Sequence, residues 1–226
     1  MSLTDLTSLA SLVSSLAVLR PPRFSLEYQD ERTPRPPNSK IYGAYAWGKC
    51  IQEEIVEREA PSLGITTRIV RPGALVDWND PELPGAMGRH LFGRWHICFG
   101  RPGLPIPVCG VERCAQAIAW CATHFDEAPP LLNLIDPTLA TRGEFVARLR
   151  SHGWTGRIAW VPISAVAFGV VAARAVAALA HGRWPSRLSA WSILRPRRYD
   201  ARLAATVLET ASRVAGEHPS PQLIHV

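Results

Sequence analysis

The sequence predicts an α/β protein organised around a parallel sheet. Three observations carry that expectation. Short apolar runs alternate with longer stretches of helical period, in the order strand, helix, strand, loop, helix, strand, helix. Proline and glycine stand at the joints between these segments. The 226 residues are 47% hydrophobic and 19% charged, enough apolar material for one substantial core and unlike a disordered chain.

Taken in order, "LASLVSSLAVL" at 9–19 reads as a buried strand ending near Ser14–Ser15. Residues 20–40 hold five prolines and mixed charges and read as a loop. From Ala44 to Ala60 the period turns helical, with Cys50, Ile51, Ile55 and Val56 as the apolar stripe and Pro61 as the stop. "GITTRIVRPG" at 64–73 reads as a strand closed by Pro72-Gly73. The Gly- and Pro-rich stretch 77–107 reads as irregular. A helix follows over 111–124, then a short strand "LLNLID" at 131–136. Thr141 with Glu144 three residues on makes a capping box that opens a helix to about Ser151.

Charge and cysteine usage exclude several classes. The net charge is +6, and of the 25 basic residues only Lys40 and Lys49 are lysines. Apart from "RPRR" at 195–198 the arginines are scattered and no aromatic residues interleave with them, so a nucleic-acid surface is not expected. Cys50, Cys98, Cys109, Cys114 and Cys121 form no CxxC pair and no zinc-site spacing; they read as buried free thiols of a cytoplasmic protein, with no metal site. The N-terminal twenty residues lack the basic start and cleavage site of a leader. The apolar stretch 158–180 has the length of a membrane span but holds Pro162, Gly169 and Arg174, which favour a helix packed on protein over a membrane anchor.

The chemistry-bearing motif is "YGAYAWGKC" at 42–50. Tyr45 and Lys49 stand at i and i+4, on one face of a helix. A lysine ammonium beside a phenol favours the phenolate, which suits the phenol to proton exchange with a carbinol or carbonyl oxygen. A hydroxyl at the end of a neighbouring strand would hold that oxygen, and Ser15 stands at such a place, where open α/β sheets bind ligands.

These segments resemble the extended short-chain dehydrogenase/reductase superfamily, the NAD-dependent epimerases and dehydratases. The resemblance rests on an ordered set: the Ser-Ser strand end, the loop with "DERTP", "YAWGK", the strand ending "RPG", "GVERCAQAI" at 110–118, "LLNLIDPTLATRGEFVARL" at 131–149 and "RRYDARLAATVLE" at 197–209. It covers about residues 10–210 and implies a partial Rossmann-like parallel sheet with helices, plus a smaller, mostly helical C-terminal region on the substrate side. The implied division is 1–77 for the partial Rossmann unit and 78–226 for the substrate-side region, with 111–136 returning to the sheet.

The roles it implies are Tyr45 as general acid/base, Lys49 as its tuner and the ligand of the nicotinamide ribose, and Ser15, rather than Ser14, as the holder of the substrate oxygen. Backbone at Pro72 and Gly73 would lie against the nicotinamide of NAD or NADP. Three departures bear on substrate handling: Gly48 stands before the lysine, Val111-Glu112-Arg113 reverses a charge, and Val76-Asp77 follows the "RPG" strand.

The family's first element, a strand leading through G-x-x-G-x-x-G into a helix, has no counterpart here. Fourteen residues precede Ser15, and the glycines at 85, 88, 93, 100, 103 and 110 read as loop. The chain therefore resembles the C-terminal part of such an enzyme and is expected to bind NAD(P) weakly. The readings that remain are an NAD(P)-dependent epimerase, dehydratase or reductase, acting on a sugar nucleotide or a hydroxysteroid-like alcohol or ketone; a catalytically inactive remnant serving as a binding module; and a protein attached to membranes through 158–180. A homodimer is compatible with the first. The apolar 158–194 segment leans toward a bulky apolar substrate.

Overall fold

The computed structural model describes residues 8–21, 27–85, 87–139, 141–181 and 196–217. Residues 1–7, part of the 20–40 loop and all of 182–195 lie outside the described residues, as does the Arg174 side chain. The chain is an α/β protein with a partial Rossmann-like parallel sheet. β1 (Ser8–Val13), β3 (Ile65–Pro72) and β8 (Leu131–Leu134) run parallel in the order β1-β3-β8. The crossover between β1 and β3 carries α1 (Ala44–Glu59), and the one between β3 and β8 carries α2 (Val111–Thr123).

β1 stops at Val13, short of the expected end, and it is not buried. It is an edge strand whose residues are mostly exposed, Leu9 and Val13 among them. Beyond it the chain makes a single 3-10 turn, Leu16–Val18, that drives Leu16, Val18 and Leu19 into the core.

The buried face of α1 is Ala46, Cys50 and Glu53; of the predicted stripe Cys50 is buried and Val56 half-buried, while Ile51 and Ile55 are exposed. The i, i+4, i+7 spacing of Ala46, Cys50 and Glu53 is the helix's true inner face, and the charge it carries is paired. Arg71 of β3 donates to Glu53 from Nε at 2.9 Å and from Nη2 at 2.7 Å, and Arg35 adds a third bond at 3.0 Å. α5 (Arg202–Glu217) packs against α2, burying Ala204, Val207, Leu208 and Ala211 beside Cys114, Ala117 and Cys121. β10 (Arg198–Tyr199) pairs in parallel with β2 (Tyr28–Gln29) and ties the end of the chain to the front loop. The charge reversal at Arg113 has a local partner: its Nη1 donates to Asp136, just past β8, at 2.7 Å.

The region read as irregular, 77–107, holds two strands and is flanked by two more. β4 (Ala74–Val76) pairs in parallel with β7 (Val108–Gly110). β5 (Gly88–Phe92) and β6 (Trp95–Phe99) form an antiparallel hairpin, turning at Gly93, whose φ of 53° suits glycine. β9 (Arg157–Val161) joins β6 in parallel. Gly88 and Gly110 thus belong to strands, and Gly110 leads β7 into α2. A second core forms here around Met87, Cys98, Val108, Phe145 and Leu149, the last two from α3 (Arg142–Ser151). The capping box that starts α3 is complete in both directions: Glu144 N donates to Thr141 Oγ1 and Thr141 N to Glu144 Oε2.

The 158–180 stretch divides at Pro162. Its first residues are β9, and the rest is α4 (Ile163–His181), uninterrupted at Gly169. Ile158 and Trp160 of β9 pack against the second core, whereas among the described side chains of α4 only Ala167 is buried and Phe168, Val171 and Val176 are exposed. Among the described residues no helix is long and apolar enough to cross a membrane.

Candidate active site

A cleft of about 660 Å³ opens at the C-terminal ends of β1 and β3. Open α/β sheets offer ligands this edge because the chain leaves it in loops and helix starts, which present free polar groups. All five residues singled out by sequence line it: Ser15, Tyr45, Lys49, Pro72 and Gly73. The alternative serine, Ser14, lines it too, but its side chain is buried beside Glu53, whereas Ser15 stands at the rim.

Each is placed by a specific local feature. Ser15 is the N-cap of the 3-10 turn; its extended backbone (φ −161°, ψ 150°) lets Oγ accept from Ala17 N at 3.2 Å. That bond fixes the oxygen and uses a lone pair, leaving the hydroxyl proton to donate into the cleft. Tyr45 is the second residue of α1 and is 64% exposed, so its phenol stands on the open side of the cleft. One turn on, Lys49 Nζ donates to the carbonyl of Val13 at 2.9 Å. This bond latches α1 over the end of β1 and leaves two ammonium N–H groups for other partners.

The floor is set by packing. Gly73 N donates to Leu134 O at 2.9 Å, and Ala74 N to Pro107 O at 2.8 Å. A Cβ on Gly73 would fall 2.5 Å from the Pro107 carbonyl oxygen, so glycine is required here by the close approach of two chain segments. The far wall, not anticipated from sequence, comes from Met87, the Pro105–Pro107 segment, Arg142 and Arg197. "RPRR" stood out in the sequence as a dense basic cluster, but nothing local tied its Arg197 to this cleft. Sequence did not single out Glu53; its burial could have been suspected from Arg71, a charge following the apolar pair Ile69-Val70 of β3.

Burial works to raise the Glu53 carboxyl, and the hydrogen bonds from Arg71, with Arg35 added, outweigh it and hold the group below the usual glutamate range. Glu53 is thereby a fixed anion between α1 and β3, and the clamp sets the angle at which α1 carries Tyr45 and Lys49 to the sheet edge.

A nicotinamide dinucleotide, which the fold class suggests, fits this cleft in part. The Lys49 ammonium, the Tyr45 phenol and the Pro72-Gly73 backbone suit the nicotinamide ribose end. A cradle for the pyrophosphate is missing among the described residues. Among the described residues the glycine that joins a strand to a helix is Gly110, outside the lining of this cleft, and a Cβ added to it would lie 2.9 Å from Trp78 Nε1, so the indole stands against that turn.

No family model matches the chain, and no curated protein sequence matches it significantly. Solved structures do. The chain is similar to gox2253, with a TM-score of 0.63 at 16% identity, covering 94% of this chain and 67% of that one. It is similar to the human epimerase family protein SDR39U1 (isoform 2), crystallised with NADPH, with a TM-score of 0.52 at 18% identity over 93% of this chain and 66% of that one. UDP-glucuronic acid 4-epimerase from Bacillus cereus, in complex with NAD, gives a TM-score of 0.53 at 10% identity over 89% and 55%. The chain spans about half to two thirds of the length of the structures it matches. At such identities the likeness establishes the fold: a partial Rossmann-like α/β arrangement.

Proposed function

We propose that this fold serves nicotinamide-dependent chemistry on an alcohol or ketone, of the epimerase, dehydratase or reductase kind, with Tyr45 as the general acid/base. One observation carries the reading: Ser15, Tyr45 and Lys49 line the same cleft at the C-terminal edge of the parallel sheet, with Pro72 and Gly73 beside them. The nicotinamide, when bound, supplies or accepts the hydride. The chain's own residues do the rest. The Ser15 hydroxyl, pinned by Ala17 N, donates to the substrate oxygen and orients it. The Tyr45 phenol takes the proton from a carbinol, or gives one to a carbonyl. Lys49, latched to Val13, brings positive charge to the phenolate that forms and offers its remaining N–H groups to the ribose.

The test is turnover of secondary alcohols with saturating NAD⁺ or NADP⁺, followed by the absorbance of the reduced nicotinamide. Positioned acid/base groups contribute about 10²- to 10⁴-fold, so Tyr45→Phe should lower turnover by at least about a hundredfold while leaving the fold intact. Unchanged turnover in Tyr45→Phe overturns the assignment.

A second reading, a binding module without catalysis, is favoured by β1. Its free edge and the exposed Leu9 and Val13 resemble a surface that another strand covers. Absence of turnover by the native chain with every alcohol and both cofactors would favour this reading over the first.

A further inference from the structure

The cleft lining holds a charge that no described carboxylate compensates. Arg142 is 7% exposed, yet among the described residues it meets no carboxylate. Its Nη1 donates to the carbonyl of Phe99 and its Nε to that of Pro105 at 3.5 Å, and Nη2 has no acceptor among the described residues. Burial pulls its pKa below the ordinary arginine value. Taking a cation out of water without a counter-charge costs several kcal/mol, and the other buried charges here are paired: Glu53 with Arg71, Asp136 with Arg113.

Arg142 is not alone. Arg197 lines the same cleft; it bonds the Tyr199 phenol and, from Nη1, Leu19 O at 3.4 Å, and it has no acidic partner among the described residues. With Lys49, the described lining of the cleft has three cations and no Asp or Glu. A pocket of one sign with low-dielectric walls concentrates ligands of the other sign, and guanidinium groups match carboxylate and phosphate oxygens in pairs.

We infer that the Arg142–Arg197 wall is an anion subsite, and that the substrate is an alcohol or ketone bearing a carboxylate or phosphate that these two arginines hold while its carbinol or carbonyl lies at Tyr45. This rests on the reading of Tyr45 given above and narrows it: an uncharged steroid-like substrate would leave Arg142 as it stands, buried and unpaired. Lys49 is already engaged by the Val13 carbonyl and belongs to the reacting end beside Tyr45.

The experiment titrates the native chain with inorganic pyrophosphate and, separately, with succinate, at low ionic strength, by calorimetry and by amide chemical shifts. At least one of the two anions should bind and should shift the first-turn amides of α3. Preference for pyrophosphate would assign a phosphate-bearing substrate, and preference for succinate a carboxylate. R142Q and R197Q should each weaken binding at least tenfold, R142K less than R142Q, and R150Q, on an exposed position of α3, not at all. Should R142Q fail to fold, R197Q and the shifts of the native chain still decide. Binding of neither anion overturns the proposal. So does binding that survives both R142Q and R197Q, or binding that excess NADP⁺ abolishes, which would give the arginines to the cofactor. Turnover does not enter the titration, so failure here leaves the Tyr45 assignment standing, and an active Tyr45→Phe variant leaves the subsite standing.

Discussion

Glu53 decides more about this site than its place in the sequence suggests. It is fully buried, accepts three hydrogen bonds from two arginines, and sits two turns along α1 from Tyr45. Removing one member of such a group strands the others, at a cost of about 3–5 kcal/mol. Glu53→Gln should therefore lower stability by that order in denaturant melts at pH 7. The pH dependence comes from the direction of its shift. The folded carboxyl titrates below the ordinary glutamate value of about 4.3. Its contribution is whole above the unfolded pKa and is lost as pH falls through the folded one. Wild-type stability should decline from about pH 5 downward, and the difference from Glu53→Gln should shrink over the same range. A gap that stays constant down to pH 3 would mean that Glu53 is not the titrating group. Tyr45, Lys49 and Ser15 were legible because their chemistry lies in residue type and short spacing. Glu53 and Arg142 were not, because their burial depends on partners 18 and 43 residues away.

Among the elements, α1, α2, β3, β8 and α3 stand close to where period, proline and the Thr141 capping box place them. The failures share a cause. β1 was read as buried because its residues are apolar, but burial of a strand depends on neighbours, and β1 has one only on the β3 side. β5 and β6 were missed because glycines at 88, 93 and 100 mark loops and hairpins alike; here Gly93 makes the turn and "HLF" and "WHICF" make the arms. Gly73 was read as a nicotinamide contact and as a strand terminator, and the structure adds a packing constraint that sequence does not show. Gly73→Ala places a methyl 2.5 Å from a backbone oxygen, so β3 or the Pro105–Pro107 wall must move. Overpacking of this kind costs about 1–3 kcal/mol, or roughly 2–4 °C of melting temperature per kcal/mol at this chain length. The test compares Gly73→Ala with Gly216→Ala, where an added Cβ meets nothing within 4 Å in helix α5. Equal melting temperatures for the two variants would show that the contact at Pro107 is loose.

At the scale of the molecule, the cleft offers the two ends of a bound cofactor unequal terms. On the function proposed above, the nicotinamide ribose would meet Lys49 and Tyr45, which line the cleft. Most dinucleotide affinity comes instead from the pyrophosphate on glycine-rich backbone amides at a helix N-terminus. Among the described residues the strand-to-helix turn that carries a glycine is β7–Gly110–α2, and Trp78 stands against it. Hydrogen bonds to charged groups are worth about 1.5–3 kcal/mol each, and the step from micromolar to millimolar affinity is about 4 kcal/mol. The absence of two or three pyrophosphate contacts is therefore enough to move this chain from one range to the other. Titration of the purified chain with NAD⁺ and NADP⁺ should give dissociation constants of about a millimolar or weaker, and Lys49→Ala should weaken them further, because Lys49 serves the end that remains. A micromolar constant for either cofactor, insensitive to Lys49→Ala, would mean that the dinucleotide is held elsewhere than in the cleft at β1 and β3.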